Sequence, residues 1–381
     1  MRAPGEAFAL YVHVPFCDVR CPYCHFTCFV NRDPDLPLRW AEAVARAFAR
    51  RGPRFAGPVA SVYFGGGTPT ALDPPARRRI CRWLGEEVAP HLVEGAELTV
   101  EANPESLWPE SLEPWVEAGV NRLSLGLQSM DEAVLRFLGR LNSPASNRRA
   151  LDLAASRVDN VSCDLILAAP EGGWEATRRS LEAVEDARVD HVSAYLLEIH
   201  PGTRFGRDVA AGRWAPRPDD DQARLYLRAV EHLAAAGFEH YEVSNFARAG
   251  RLSRHNAAYW SGAPYLGLGP SAHSFARRRR WWQEKDTRVW CAKVEAEGDG
   301  TVGAEELDAE ALRDEALLLG LRTREGVAAS LLAGQRALWE ALAGEGLAEP
   351  WGERLRLTPR GWLVLDPLAA RLAAHPPAAK S

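Results

Sequence analysis

A partial (β/α)6 barrel of the TIM type, followed by a small, mostly helical, winged-helix-like C-terminal domain, is the fold class this sequence predicts. Three observations predict it. Short apolar, β-rich runs alternate six times with amphipathic helical stretches, and repeated βα units argue a parallel sheet with helices outside. Glycines and lone polar residues fall just after the apolar runs, where folds of this type collect their chemistry. Near residue 305 the alternation stops and a helix–helix–hairpin pattern begins.

The expected barrel strands are residues 9–14, 61–64, 98–101, 122–127, 162–167 and 191–197, with a short seventh over 240–243. Between them run LRWAEAVARAFARR, PARRRICRWLGEEV, SLEPWVEAG, DEAVLRFLGR and WEATRRSLEAVEDA, whose apolar residues recur at helical spacing. Residues 200–220 and 247–304 are rich in Gly, Pro and charge and read as connecting or lid segments. AEELDAEALRDEALLLGLRT and AASLLAGQRALWEALAGEG read as helices, and GLAEPWGERLRLTPRGWLVLD as a hairpin after them. The expected division is a barrel over 1–240, a connecting segment over 241–304 and a C-terminal domain over 305–381.

The chain has 381 residues, 46% of them hydrophobic, enough for a barrel-sized core and one appendage. Its net charge is −5, so no general basic field favours nucleic acid. No apolar run reaches membrane-span length and the start lacks a signal-peptide core. The cytoplasm is therefore the expected compartment, where clustered cysteines more often serve metals than disulfides.

Four of the seven cysteines lie in VPFCDVRCPYCHFTC, residues 14–28. Cys17, Cys21 and Cys24 form C-x3-C-x2-C. A structural zinc site needs a fourth ligand, which Cys28 or His25 could supply, yet separated C-x2-C pairs are absent. An iron–sulfur cube normally takes four cysteines; with three, one iron stays open for a ligand. Cys81, Cys163 and Cys291 are scattered and read as small buried hydrophobes.

The strand ends carry their own signals. YFGGGTPT places Gly65, Gly66, Gly67 and Thr68 after the second strand, where missing Cβ atoms allow close backbone approach. No Gly-Lys-Ser/Thr follows, so this is not a phosphate-binding P-loop. Glu101 ends the third strand, Gln128 the fourth, with Arg140 soon after, and Asp164 lies in the fifth.

The C-x3-C-x2-C spacing, GGGTP and these polar strand ends resemble the radical S-adenosylmethionine (SAM) family, over roughly residues 7–370. The resemblance implies a [4Fe-4S] cluster on Cys17, Cys21 and Cys24, with SAM on the open iron. It implies SAM contacts from Tyr11, Tyr23, Gly66, Gly67, Thr68 and Glu101, and second-site contacts from Gln128, Arg140 and Asp164. It implies an electron-donor protein such as flavodoxin or ferredoxin. Two departures stand out: His25 and Asn142 replace the family's usual Asp and His.

Within that family the sequence is similar to the haem chaperones of the HemW branch and to the oxygen-independent coproporphyrinogen III oxidases. The fourth oxidase cysteine is replaced by Phe26, and the chain begins nearly at its first strand, where the oxidases are longer. SNFARAGRLSRHNAAYWSGAPYLGLGPSAHSF is similar to the chaperones' haem-binding segment, H-N-x-x-Y-W being His255, Asn256, Tyr259 and Trp260. Imidazole is a good axial ligand for haem iron, and Tyr and Trp can pack on a porphyrin. The alternative reading makes His255 a structural residue of a lid loop, and His273 is a weaker candidate ligand. The resemblance implies delivery of haem to client proteins, membrane-bound respiratory enzymes among them. Porphyrin decarboxylation is the competing reading, and an RNA-modifying enzyme the outlying one. Whether SAM is cleaved, and whether the chain forms a homodimer, stays open. ARRRRWWQEKD reads as a solvated loop or a propionate contact rather than an RNA site.

Overall fold

The computed structural model describes residues 6–373 apart from 56 and 333; the Ala/Pro-rich end, 374–381, lies outside the described residues. Six parallel strands arise where the sequence places them: β1 Phe8–Val14, β2 Val59–Gly66, β3 Leu92–Ala102, β4 Arg122–Gln128, β5 Asn160–Leu167 and β6 His191–Leu196. Each is buried along most of its length, as expected for strands covered on both faces. Outside them pack α1 Leu36–Arg51, α2 Pro74–Trp83, α3 Pro109–Glu117, α4 Glu132–Phe137, α5 Pro144–Ala155, α6 Trp174–Asp186, α7 Arg204–Ala210 and α8 Asp219–Ala235. Trp40, Trp83 and Trp115 are fully buried between this helical layer and the sheet. Cys81, Cys163 and Cys291 lie in the same core.

The sheet is wider than the sequence implies. The short strand expected near 240 is β7 Glu239–Glu242. It turns back into β8 Asn245–Ala247, which pairs antiparallel with β6. At the other edge, 241–304 is not simply a connection. It carries β9 Tyr265–Leu268, a seventh parallel strand beside β1, and then β10 His273–Ala276, β11 Arg279–Gln283 and β12 Thr301–Glu306 in an antiparallel meander. The arginine run sits in this meander: Arg279 and Arg280 lie opposite Glu306 and Glu305, and Arg280 also pairs with Glu315. Arg280 thus lies between two carboxylates in a strand, so the run is not the loop expected from the sequence. His273 faces Trp282 across the neighbouring β10–β11 pair.

Between the two edges lies α9 Arg254–Trp260, the H-N-x-x-Y-W helix, packed on β2 and on α11 Ala309–Gly320. Ser253 caps it, and the buried Glu97 carboxylate accepts from the amides of Arg254 and His255. These contacts satisfy amides that a helix start leaves unpaired and place a negative charge at its positive end. α10 Thr287–Glu297 covers the outside of α1.

The C-terminal domain has its own core around Leu321, Trp339, Trp362 and Leu368. It holds α11, α12 Arg336–Gly344, α13 Pro359–Trp362 and α14 Leu365–Ala373. A three-stranded sheet completes it: β13 Val327–Ala328, β14 Ala348–Trp351 and β15 Arg354–Leu357. The first expected helix begins only at Ala309, because Asp308 caps it and 301–306 is strand. The second begins at Arg336, after a single short turn over Ala329–Leu332. Residues 322–324 join the barrel as an edge: Val243 N donates to Arg322 O at 2.9 Å and Arg324 N to Tyr241 O at 3.0 Å.

Candidate functional site

The C-terminal strand ends surround a cavity of about 460 Å³. Cys17, Cys21, Cys24 and Cys28 form one wall, carried on the loop that links β1 to α1. The strand-end residues Gly66, Gly67, Thr68, Glu101, Gln128 and Asp164 line it, as do Tyr23 and Arg140. Tyr11 does not: its hydroxyl lies 3.0 Å from His13 Nδ1, behind the wall, beside Tyr63 and His255.

The glycine loop is needed for close packing as much as for ligand approach. A Cβ on Gly66, at φ +107°, would meet the His13 ring at 2.4 Å. A Cβ on Gly67 would meet the Phe16 carbonyl at 2.4 Å. A Cβ on Gly65 would meet the Glu101 carboxylate at 2.9 Å. The Glu101 carboxylate accepts from Tyr63 Oη at 2.7 Å and from Gly66 N at 3.1 Å. Burial pushes its pKa up to about 7, with the Asp164 charge adding to the rise. Asp164 is raised by burial too, against hydrogen bonds from Ser193 and Ser124. Gln128 holds a left-handed backbone at φ 63°, uncommon for a non-glycine residue, at the cavity edge.

Arg140 is fixed from four sides. Its guanidinium donates to Asn103 Oδ1 at 2.8 Å, Gly126 O at 3.0 Å and Asn142 Oδ1 at 3.0 Å, with Nη1 3.6 Å from Cys21 Sγ. Asn142, a departure from the family pattern, is thus one of the residues that orient Arg140. Thr68 Oγ1 lies 3.6 Å from Cys17 Sγ and Cys28 Sγ 3.8 Å from Cys24 Sγ. Cys28 holds the Cys17 and Cys24 thiols below their usual range, Cys24 at about 6, and is itself driven far up. Burial raises Cys21 against the pull of Arg140. Among the described residues no His, Cys, Asp or Glu group is arranged for a single metal ion. A cube takes each thiolate on a different iron, so its cysteines stand further apart. Three thiols on a cavity wall, two of them approached by fixed donors, suit that larger group.

The haem-segment residues are split by the structure. His255 is 1% exposed and points into the barrel. Its Nδ1 lies 2.9 Å from Ser61 Oγ, its Nε2 3.0 Å from the Tyr259 hydroxyl, and its ring stacks on Tyr63. Burial holds it neutral, with a pKa of about 3. Neither nitrogen is free to ligate iron. Asn256, Tyr259 and Trp260 instead line a second cavity, against the C-terminal domain, and Tyr195, Leu196 and Glu198 line both cavities. His273 lines neither.

Residues 11–197 match the family model "Radical SAM superfamily". The "Heme chaperone HemW" of Mycobacterium tuberculosis is 38% identical over 376 residues, covering 97% of this chain and 95% of that one. The chain belongs to the HemW family of radical SAM proteins. The mouse protein "Radical S-adenosyl methionine domain-containing protein 1, mitochondrial" is 36% identical, covering 96% of this chain and 87% of its own. HemW of Bacillus subtilis is 31% identical over 83% of this chain and 84% of its own. Among solved structures, coproporphyrinogen III oxidase (HemN) from Escherichia coli has a TM-score of 0.81 at 21% identity, covering 98% of this chain and 91% of its own. That likeness shows the shared barrel and C-terminal domain. For a HemW-family chain, the residues fit the cofactors the superfamily implies: Cys17, Cys21 and Cys24 would hold the [4Fe-4S] cluster, with SAM in the 460 Å³ cavity. Bound there, the cluster supplies an electron and an iron open to SAM. Asn103 belongs to the site although the sequence reading did not name it, and Cys28, considered there only as a fourth zinc ligand, lines it too. Asn103 follows Glu101 by two positions, the one signal that could have found it.

Proposed function

We propose that this protein is a haem chaperone: it takes up haem as cargo and hands it to haem-requiring client proteins, membrane-bound respiratory enzymes among them. One observation carries the reading. The chain aligns end to end with HemW of M. tuberculosis, and its H-N-x-x-Y-W helix borders a cavity beside the radical SAM site. The cavity walls carry Trp260, Tyr259 and Trp362, large flat surfaces of the kind that pack on a macrocycle. Among the described residues no helix is long and apolar enough to cross a membrane. An electron-donor protein and a homodimer remain part of the same proposal.

Decarboxylation of coproporphyrinogen III has only the 21% fold likeness behind it, which supports the architecture and no activity. The test is incubation of cluster-loaded protein with SAM, reductant and coproporphyrinogen III, alongside a haem-loaded sample. The chaperone reading expects no decarboxylated product and recovery of the haem unchanged. Steady conversion to protoporphyrinogen IX would replace it with the oxidase reading.

A further inference from the structure

The second cavity, about 670 Å³, lies between the end of β6, the β7–β8 hairpin, α9 and the C-terminal domain. That is within the size range of sites for ligands larger than a metabolite fragment. Its walls mix aromatic and aliphatic side chains, Tyr259, Trp260 and Trp362 among them, with polar ones, Glu198, Glu242, Asn245, Asn256, Arg322 and Asp366. Set into these walls are four polar atoms that are buried and lack a hydrogen-bond partner among the described residues: Trp260 Nε1, Arg322 Nη1, Glu242 Oε1 and Asn245 Oδ1. Glu242 is 1% and Asn245 3% exposed. Buried polar groups are nearly always paired, because an unpaired one costs about 1–3 kcal/mol. Four in one cavity describe a site shaped for a ligand with polar groups on an apolar body.

The two donors, Arg322 Nη1 and Trp260 Nε1, call for an acceptor. Arg322 is held in place: Nη2 donates to Asp366 Oδ1 at 3.1 Å, and its carbonyl accepts from Val243 N. A fixed guanidinium with one edge free is the usual partner of a carboxylate. Burial raises the Glu242 carboxyl to about 7, against hydrogen bonds from Ser244 and Asn245 and the neighbouring Arg322 charge. An aromatic-walled cavity with a carboxylate-binding edge matches a flat macrocycle with acidic side chains.

We propose that haem occupies this interdomain cavity, its ring between the aromatic walls and a propionate on Arg322 and Trp260, while His255 positions α9 and does not ligate the iron. The inference rests on the chaperone reading and adds the place and the recognition chemistry. His255 acts through Ser61 and Tyr259. With its ring locked inside the barrel, it aims the next turn of α9, which bears Tyr259 and Trp260, at the cavity. The C-terminal domain is then half of the binding site, since Arg322 and Trp362 come from it.

The test uses full-length, cluster-loaded protein and three measurements. Wild type is titrated with haem and with haem dimethyl ester, whose propionates carry no charge. Arg322→Gln is titrated with both. The absorption and electron paramagnetic resonance spectra of ferric haem are compared in wild type and His255→Gln. Expected are roughly ten- to hundredfold weaker binding of the ester by wild type, similarly weakened binding of haem by Arg322→Gln, and no ester discrimination by that variant. His255→Gln should bind a few-fold more weakly with unchanged spectra of the bound haem. If Arg322→Gln fails to fold, the wild-type ester comparison still decides. Equal affinity of wild type for haem and its ester overturns the proposal, as does a new ligation spectrum in His255→Gln. Absence of any saturable haem binding by wild type overturns the chaperone reading instead.

Discussion

Cys28 shows how one side chain can matter to a metal site without being counted among its ligands. It is buried, and its thiol faces those of Cys17 and Cys24. A proton kept on Cys28 stabilises negative charge on its two neighbours, the form in which a cysteine binds metal. Replacing Cys17, Cys21 or Cys24 by Ala should abolish the cluster. Cys28→Ala should keep about four irons per chain, the content of one cube, while reconstituting more slowly at pH 7, because Cys24 then titrates higher. Iron analysis and the visible absorption of anaerobically reconstituted protein check this. A full cluster in Cys21→Ala, or none in Cys28→Ala, would contradict the ligand assignment. At the same scale, Arg140 and Asn142 form a unit that was invisible as such in the sequence. Asn142 reads there only as a departure from a family pattern, and its purpose emerges from the 3.0 Å contact to Arg140 Nε.

Among elements, α9 carries the most function for its length. Seven residues would not hold a helix alone; Ser253, Glu97 and the barrel hold this one. Glu97→Gln should therefore loosen α9 locally. Hydrogen exchange should show the amides of 254–260 opening roughly ten- to a hundredfold faster, with β2 unchanged. Unaltered protection of α9 would mean that Glu97 does not anchor it. The parallel strands were legible because each is a short, mostly apolar, β-rich run followed by an amphipathic helical stretch, as between Leu123 and Gln128. The β10–β12 meander was not. Its arginines look like a loop until Glu305 and Glu306 arrive, 25 residues later, as cross-strand partners. The placement of α9 was hidden for the same reason, since the partner of His255 is Ser61, 194 residues away. The unpaired atoms of Glu242, Asn245, Trp260 and Arg322 have no sequence signature at all. They become a site only when residues 322–324 join the edge of β7.

The molecule as a whole puts two cavities on either side of one strand end. Tyr195, Leu196 and Glu198 line the cluster cavity and the interdomain cavity alike. The radical SAM barrel thus supplies one wall of the proposed cargo site, and the C-terminal domain the other. The central claim is that this arrangement takes up haem as cargo. Titration of cluster-loaded, full-length protein with haem, followed through the Soret band and by calorimetry, tests it most directly. The account predicts saturable binding of about one haem per chain in a site of this size, retained in part by cluster-free protein, because the proposed haem contacts and the three cysteines line different cavities. Haem uptake that rises without saturation, as on a nonspecific apolar surface, would contradict it.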